Sequence, residues 1–201
     1  MKTTGKVLQF LVTLQGITPP VWRRIQIGPR CSFWDLHVAV QDAMGWTDTH
    51  LHQFSVPNPR TGATDEIGIP DEEGLSGESP CLSGWEVPVA RYFPEKGAAA
   101  DYEYDFGDGW EHTIVLEDVV DRGPGGRYPR CVAGQRACPP EDCGGVHGYE
   151  RLLRVLADPR DSEHDAMREW VGPGYDPEKF SPNDVRFDSP RARLKLMMED
   201  G

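Results

Sequence analysis

The sequence lacks any apolar run approaching the ~20 residues that a membrane-spanning helix needs, so an ordinary helical membrane protein is excluded. Cationic residues are scarce beside anionic ones: 21 Lys and Arg stand against 33 Asp and Glu, for a formal net charge of −12. The imbalance is uneven, with residues 1–56 at +2 and the remainder at −14. Phosphate-backbone binding needs a positive surface, so nucleic acid is disfavoured as a partner. Arg23 and Arg24 are the nearest thing to a basic patch, and their alternation reads as a solvated strand face. Cysteines number five, an odd count that argues against a disulfide framework and for a reducing compartment. Lys2 and Lys6 precede a short apolar stretch, but Gln9 and Thr13 interrupt it and no small-residue cleavage site follows. The expected location is the cytoplasm. Phosphate-binding loops, dinucleotide fingerprints and a Gly-x-Ser-x-Gly nucleophile elbow are also missing.

What is present is turn chemistry and aromatic bulk. The 22 Gly and 18 Pro predict long loops, and six Trp, six Tyr and seven Phe can fill a sizeable core. Leu8, Phe10, Val12 and Leu14 alternate as a strand over 7–14, and a turn at Gly16–Pro20 leads to a second strand over 21–27. Ser32 and Asp35 make a capping-box start for a helix that buries Phe33, Leu36, Val40, Ala43 and Met44, and Gly45 is its stop. His50 to Val56 alternates as a third strand. Residues 57–84 read as an irregular loop with one short strand near 66–69, its acidic run Asp71, Glu72 and Glu73 a solvated surface. Residues 85–93 predict a short helical or extended segment. Tyr102, Tyr104 and Phe106 form one strand and His112, Ile114 and Leu116 the next, joined by a hairpin at Gly107-Asp108-Gly109. Residues 122–148 form a Gly/Pro/Cys-rich loop. Helices follow over 149–157, 162–171 (Met167 and Trp170 inward) and 189–198. Strands first and helices later predict an α+β domain. The sheet is mostly antiparallel, and the hairpin–helix–strand opening is compatible with a β-grasp-like core.

Two groups of residues can carry chemistry. Cys131, Cys138, Cys143 and His147 offer three thiols and an imidazole, the donors tetrahedral zinc prefers, within a loop that has little core of its own. Their spacing lacks the paired two-residue pattern of a strong zinc motif, and free thiols packing a loop, or a redox pair, fit the same residues. The second group is His50, His52, Asp105, Asp108, Trp110 and His112, with Glu111 beside it. His50 and His52 share a strand face at i, i+2. If their strand meets the acidic hairpin, imidazoles and carboxylates converge, which suits a divalent ion or acid–base work near neutral pH. The competing reading places these histidines at the edge of an aromatic core. Asp105-Phe106-Gly107 matches the kinase metal-binding triplet, but the other kinase motifs are absent. In Pro139-Pro140-Glu141-Asp142 the carboxylates are expected to cap the following helix or to bind an Arg.

Taken together, Gly16-Ile17-Thr18-Pro19-Pro20-Val21-Trp22-Arg23-Arg24, Phe33-Trp34-Asp35-Leu36-His37 and Gln41-Asp42-Ala43-Met44-Gly45-Trp46 resemble the plasmid pRiA4b ORF-3-like family. So do His50-Leu51-His52-Gln53-Phe54, the stretch from Tyr102 to His112, and Cys138 to Gly145 with Gly148-Tyr149. The resemblance covers about residues 5–185, which it implies to be the core of a single domain over 1–201. The resemblance implies an α+β fold and a family without an established activity, some of whose members carry resolvase names or are associated with plasmids and insertion elements. Resolvase chemistry does not fit these residues. The first Ser is Ser32, a helix cap, and no Arg/His/Arg cluster accompanies a nucleophilic Tyr. No catalytic residue is carried over. The leading expectation is a binding or accessory module that engages a small ligand or protein through the His50/Asp105 group. The alternatives are a metal-dependent hydrolase or nuclease using the same group, and a structural zinc in the cysteine loop.

Overall fold

A computed structural model describes residues 5–70 and 80–200; Asp71, Glu72 and Glu73 lie outside them. Strand β1 spans Lys6–Leu14 and β2 Trp22–Ile27, paired antiparallel with Phe10 opposite Ile25. Helix α1, Phe33–Met44, begins where the sequence signals it. Ser32 Oγ accepts from the Asp35 N–H at 3.2 Å, and Asp35 Oδ2 accepts from the Ser32 N–H at 2.7 Å. Together these satisfy two otherwise orphaned donors of the first turn. Gly45 ends the helix with φ +95°, a conformation costly for any residue with a Cβ. Strands β3 (His52–Pro57) and β4 (Thr64–Gly68) follow, then the two-residue β5 (Leu82–Ser83) and a 3-10 turn at Val89–Arg91. Next come β6 (Ala99–Tyr104), β7 (Trp110–Asp121) and β8 (Arg130–Gln135), then helices α2 (Gly145–Ala157), α3 (His164–Val171) and α4 (Pro190–Asp200).

All eight strands join one sheet in the order β5-β4-β3-β6-β7-β1-β2-β8, antiparallel except for the short β4–β5 pair. The fold is α+β with a mostly antiparallel sheet and a helical C-terminal part. The third strand does not lie beside the opening hairpin: β6 and β7 stand between β3 and β1.

Strand alternation decides which face of the sheet is buried. Phe10, Val12, Ile25, Phe54, Tyr102, Ile114 and Leu116 form one buried cluster with Phe33, Leu36 and Val40 of α1. Phe33 meets Phe54 edge-on, with ring centroids 5.0 Å apart. Each such side chain contributes about 1.5–3 kcal/mol on burial. The opposite face is polar. There Arg24 donates to Glu117 at 2.5 and 2.7 Å, and Gln53 and Ser55 both donate to Glu66.

Several local expectations are corrected. Arg23 is not on a solvated face but 1% exposed. It donates to the carbonyls of Ala43, Trp22 and Gln135, and its guanidinium stacks 3.7 Å from the Phe180 ring centre. The 122–148 segment contains a strand, β8, because β2 offers it a pairing edge. Phe106 is not a strand residue. The chain turns at Asp105 and leaves its ring about half exposed. Trp170 does not face inward either, since the one-sided docking of α3 turns Met167 to the core and Trp170 to solvent.

Candidate functional site

The β6–β7 hairpin is built around Asp105, which adopts a left-handed φ of +57°. Its Oδ1 accepts from the N–H groups of Gly107 (3.0 Å) and Asp108 (3.3 Å), a local carboxylate turn. That leaves Oδ2 3.6 Å from His50 Nε2. The Cys138–Gly145 loop folds onto the same hairpin. Gly144 N–H donates to Asp108 Oδ2 at 3.1 Å, and a Cβ on Gly145 would lie 2.3 Å from the Asp108 carbonyl oxygen. This close approach requires glycine. It brings Asp142, also left-handed at φ +57°, to 3.2 Å from His50 Nε2. The donor atoms of His50, Asp105 and Asp142 all lie within 4.8 Å of one another.

Charge around this cluster is one-sided. Asp105 and Asp142 flank a single imidazole, Asp108 and Glu141 stand in the same hairpin and loop, and among the described residues no Lys or Arg pairs with any of the four. Glu141 neither caps α2 nor binds an Arg. It accepts from the Thr47 N–H, the Thr47 hydroxyl and, at 2.6 Å, the Tyr104 hydroxyl. Burial first, and then the Glu141 carboxylate, push the Tyr104 hydroxyl well above its ordinary range, so it stays protonated as a donor. His50 Nε2 is close to two carboxylates but has no aligned hydrogen bond.

The expected six-residue surface is therefore only half realised. His50, Asp105 and Asp108 come together, whereas His52, Trp110 and His112 are 3%, 0% and 1% exposed. The strand begins at His52 rather than His50, so the two imidazoles do not share a face. His52, Phe54 and Val56 point inward together. His112 sits between Tyr102 and the edge of Trp46, its Nδ1 donating to the Trp110 carbonyl at 3.0 Å. Burial lowers its pKa to about 4, so it is neutral at ordinary pH.

The cysteine set does not assemble. His147 is 96% exposed and pairs with Glu150, and no three of Cys131, Cys138, Cys143 and His147 bring ligand atoms within 4.8 Å of one another. Cys131 bonds the Ala133 carbonyl and Cys138 is core. Burial pushes all three thiols up, Cys143 to about 12, so these are packing thiols and not reactive thiolates. Zinc held by this loop set is not supported.

A second cluster went unrecognised in the sequence. His37 of α1, Asp48 and His52 bring their donor atoms within 4.8 Å of one another beneath Trp34. The signal was available: His37 and Gln41 interrupt the apolar face of α1 at i, i+4 from Phe33.

The family described as plasmid pRiA4b ORF-3-like protein matches residues 6–184. The chain belongs to this family. The pRiA4b ORF-3-like segments His50–Phe54, Tyr102–His112 and Cys138–Gly145 are the ones that converge on the hairpin cluster. A relative from Sinorhizobium fredii (strain NBRC 101917 / NGR234), the uncharacterized protein y4hQ, is 36% identical over 169 residues, covering 84% of this chain and 82% of that protein. The crystal structure of MM3350 from Methanosarcina mazei Go1, a protein of unknown function, superposes with a TM-score of 0.83 at 43% identity, covering 91% of this chain and 99% of the other. The names of these relatives assign no activity.

Proposed function

We propose that this pRiA4b ORF-3-like protein is a binding module that engages its ligand through a divalent cation held by His50 Nε2, Asp105 Oδ2 and Asp142 Oδ1. The observation that carries this reading is the mixed nitrogen–oxygen donor set gathered within 4.8 Å at a place where carboxylates outnumber cations. One imidazole and two carboxylates suit Mn²⁺ or Zn²⁺ better than a soft ion. Asp108 supports the set by anchoring Gly144, and Glu141 by tying Thr47 and Tyr104.

The test is calorimetric titration of chelator-treated full-length protein with Mn²⁺ and with Zn²⁺. His50→Ala and Asp142→Asn should each weaken binding on the order of tenfold or more, the range that loss of metal-site groups gives. Affinity unchanged in both variants would sink the proposal. A second reading, a metal-dependent hydrolase, is favoured by the exposure of Asp142, whose side chain is 72% accessible. An open site of this kind leaves coordination positions for a reacting water. Phosphoester or amide hydrolysis that requires Mn²⁺ and disappears in His50→Ala would select it over the binding module.

A further inference from the structure

The buried cluster beneath α4 goes further than the hairpin cluster, where His50 Nε2 is a single ring nitrogen without a hydrogen bond. His52 is 3% exposed, yet neither of its ring nitrogens has a hydrogen-bond partner among the described residues. An orphaned polar group in the interior costs about 1–3 kcal/mol, and here both nitrogens of one ring are orphaned. The ring lies flat on His37, with centroids 3.4 Å apart and planes 10° from parallel. His37 is fully partnered: Nδ1 lies 2.8 Å from the Tyr102 hydroxyl and Nε2 lies 2.7 Å from Asp48 Oδ1. Asp48 itself takes a left-handed φ of +63°, a strained choice for a residue with a Cβ.

We infer that His37, His52 and Asp48 form a second cation site, selective for a borderline ion such as Zn²⁺, and that Arg193 of α4 occupies its charge position when no ion is bound. Three observations converge on it. The donor atoms already lie within 4.8 Å of one another, and because the two rings are stacked nearly parallel, one of them tilts out of the stack for both in-plane lone pairs to meet a single ion.

The hydrogen-bond chain behind His37 also fits either proton position. As drawn, the Gln41 amide donates to Tyr102 Oη at 2.9 Å, Tyr102 donates to Nδ1, and Nε2–H donates to Asp48. With an ion on Nε2 the ring carries its proton on Nδ1, which donates to Tyr102 Oη, and the Tyr102 hydroxyl donates to Gln41 Oε1. That oxygen has no partner at present, and a flip of the amide presents it. The imidazole remains neutral, so no net proton is gained or lost there. A ligating histidine whose other nitrogen donates to a fixed partner is the usual supported arrangement.

Arg193 explains how the site stays closed. Its guanidinium reaches Asp48 Oδ2 at 3.3 Å, Asp42 Oδ1 at 2.7 Å and Asp188 Oδ2 at 2.7 Å. It is the cation that now balances Asp48. A cleft of about 340 Å³ lined by Trp34, His50, Arg193 and Met197 opens on Asp48, the member of the set that it reaches.

The experiment uses full-length, chelator-treated protein carrying Asp142→Asn, which disables the hairpin cluster. Zn²⁺ is titrated calorimetrically, and Co²⁺ is followed by its visible absorption. One equivalent should bind. Adding His52→Phe should abolish uptake without lowering the melting temperature of the metal-free protein, because the ring is replaced by one with no nitrogens to orphan. Adding Arg193→Ala instead should tighten Zn²⁺ about tenfold or more by removing the competing cation. One equivalent retained in His52→Phe overturns the inference. Loss of all uptake in Asp142→Asn alone also overturns it, leaving the hairpin proposal standing. Uptake undiminished by Asp142→Asn but lost in His52→Phe supports the buried site and counts against the hairpin one. If His52→Phe fails to fold, Arg193→Ala decides: unchanged or weaker Zn²⁺ affinity refutes the role given to the buried set.

Discussion

Two groups of histidine and carboxylate lie on either side of residue 51, and they are built by opposite means. His50 meets Asp105 and Asp142 on turns, each carboxylate carried by a residue with positive φ, with Asp142 open to solvent and Asp105 buried. His52 meets His37 and Asp48 inside the molecule, on a strand and a helix, beneath Trp34 and Arg193. One residue of chain separates a cluster at the surface, shaped by loop geometry, from a more deeply buried one shaped by core packing. The bend before β3 is what parts them. A strand starting at residue 50 would have turned both imidazoles to the same face.

The contrast can be broken most forcefully at Gly145. Gly145→Ala places a Cβ 2.3 Å from the Asp108 carbonyl at a φ of +65°. Backbone strain and overpacking together should cost about 4 kcal/mol, read by denaturant unfolding. Mn²⁺ affinity at the hairpin should fall while the His37/His52 stack is left in place. Gly97→Ala is the matched control: φ is +92° but nothing lies within 4 Å, so only the strain, about 1–2 kcal/mol, should appear.

Acid should act on the interior. Burial lowers the His112 pKa from 6.5 to about 4. Between those values the unfolded chain binds a proton that the folded chain refuses. Stability should therefore fall as pH drops from about 6.5 to about 4 and level off below, by on the order of 3 kcal/mol from this residue. His112→Gln should flatten that part of the profile in pH-dependent melting. Removing the cap of α1, the helix that carries His37, is a gentler probe. Ser32→Ala loses the Oγ that accepts from the Asp35 N–H, while the Ser32 N–H keeps its bond to Asp35 Oδ2, and should cost about 1 kcal/mol in thermal or chemical unfolding. Asp142→Asn should be the mildest for stability, below about 0.5 kcal/mol, because its side chain is largely in water. Its effect on metal affinity should nonetheless be large, which separates a ligand from a scaffold residue.

How far the sequence could be read follows from the same division. Elements defined by local chemistry were legible: the Ser32/Asp35 box, the Gly45 stop, the alternation of β1, β3, β6 and β7. The joining of His50 to Asp105 was also within reach, because both flank strands that pair. Asp142 was not, since its position depends on a contact between Gly145 and Asp108 that no periodicity announces. Strand β8 was missed because its partner, β2, lies more than a hundred residues away in sequence and its own residues do not alternate. His52 and His112 were misplaced for a simpler reason. A histidine in an alternating strand follows its strand, and here the strand's inward face was already set by Phe54, Ile114 and Leu116.

The contact between Gly145 and the Asp108 carbonyl also governs how anything arrives at the hairpin. With no room between them, the hairpin tip and the proline-rich loop are locked together. Were the proposed cation to bind there, it would meet carboxylates already gathered beside His50, and not ones drawn in by a closing loop.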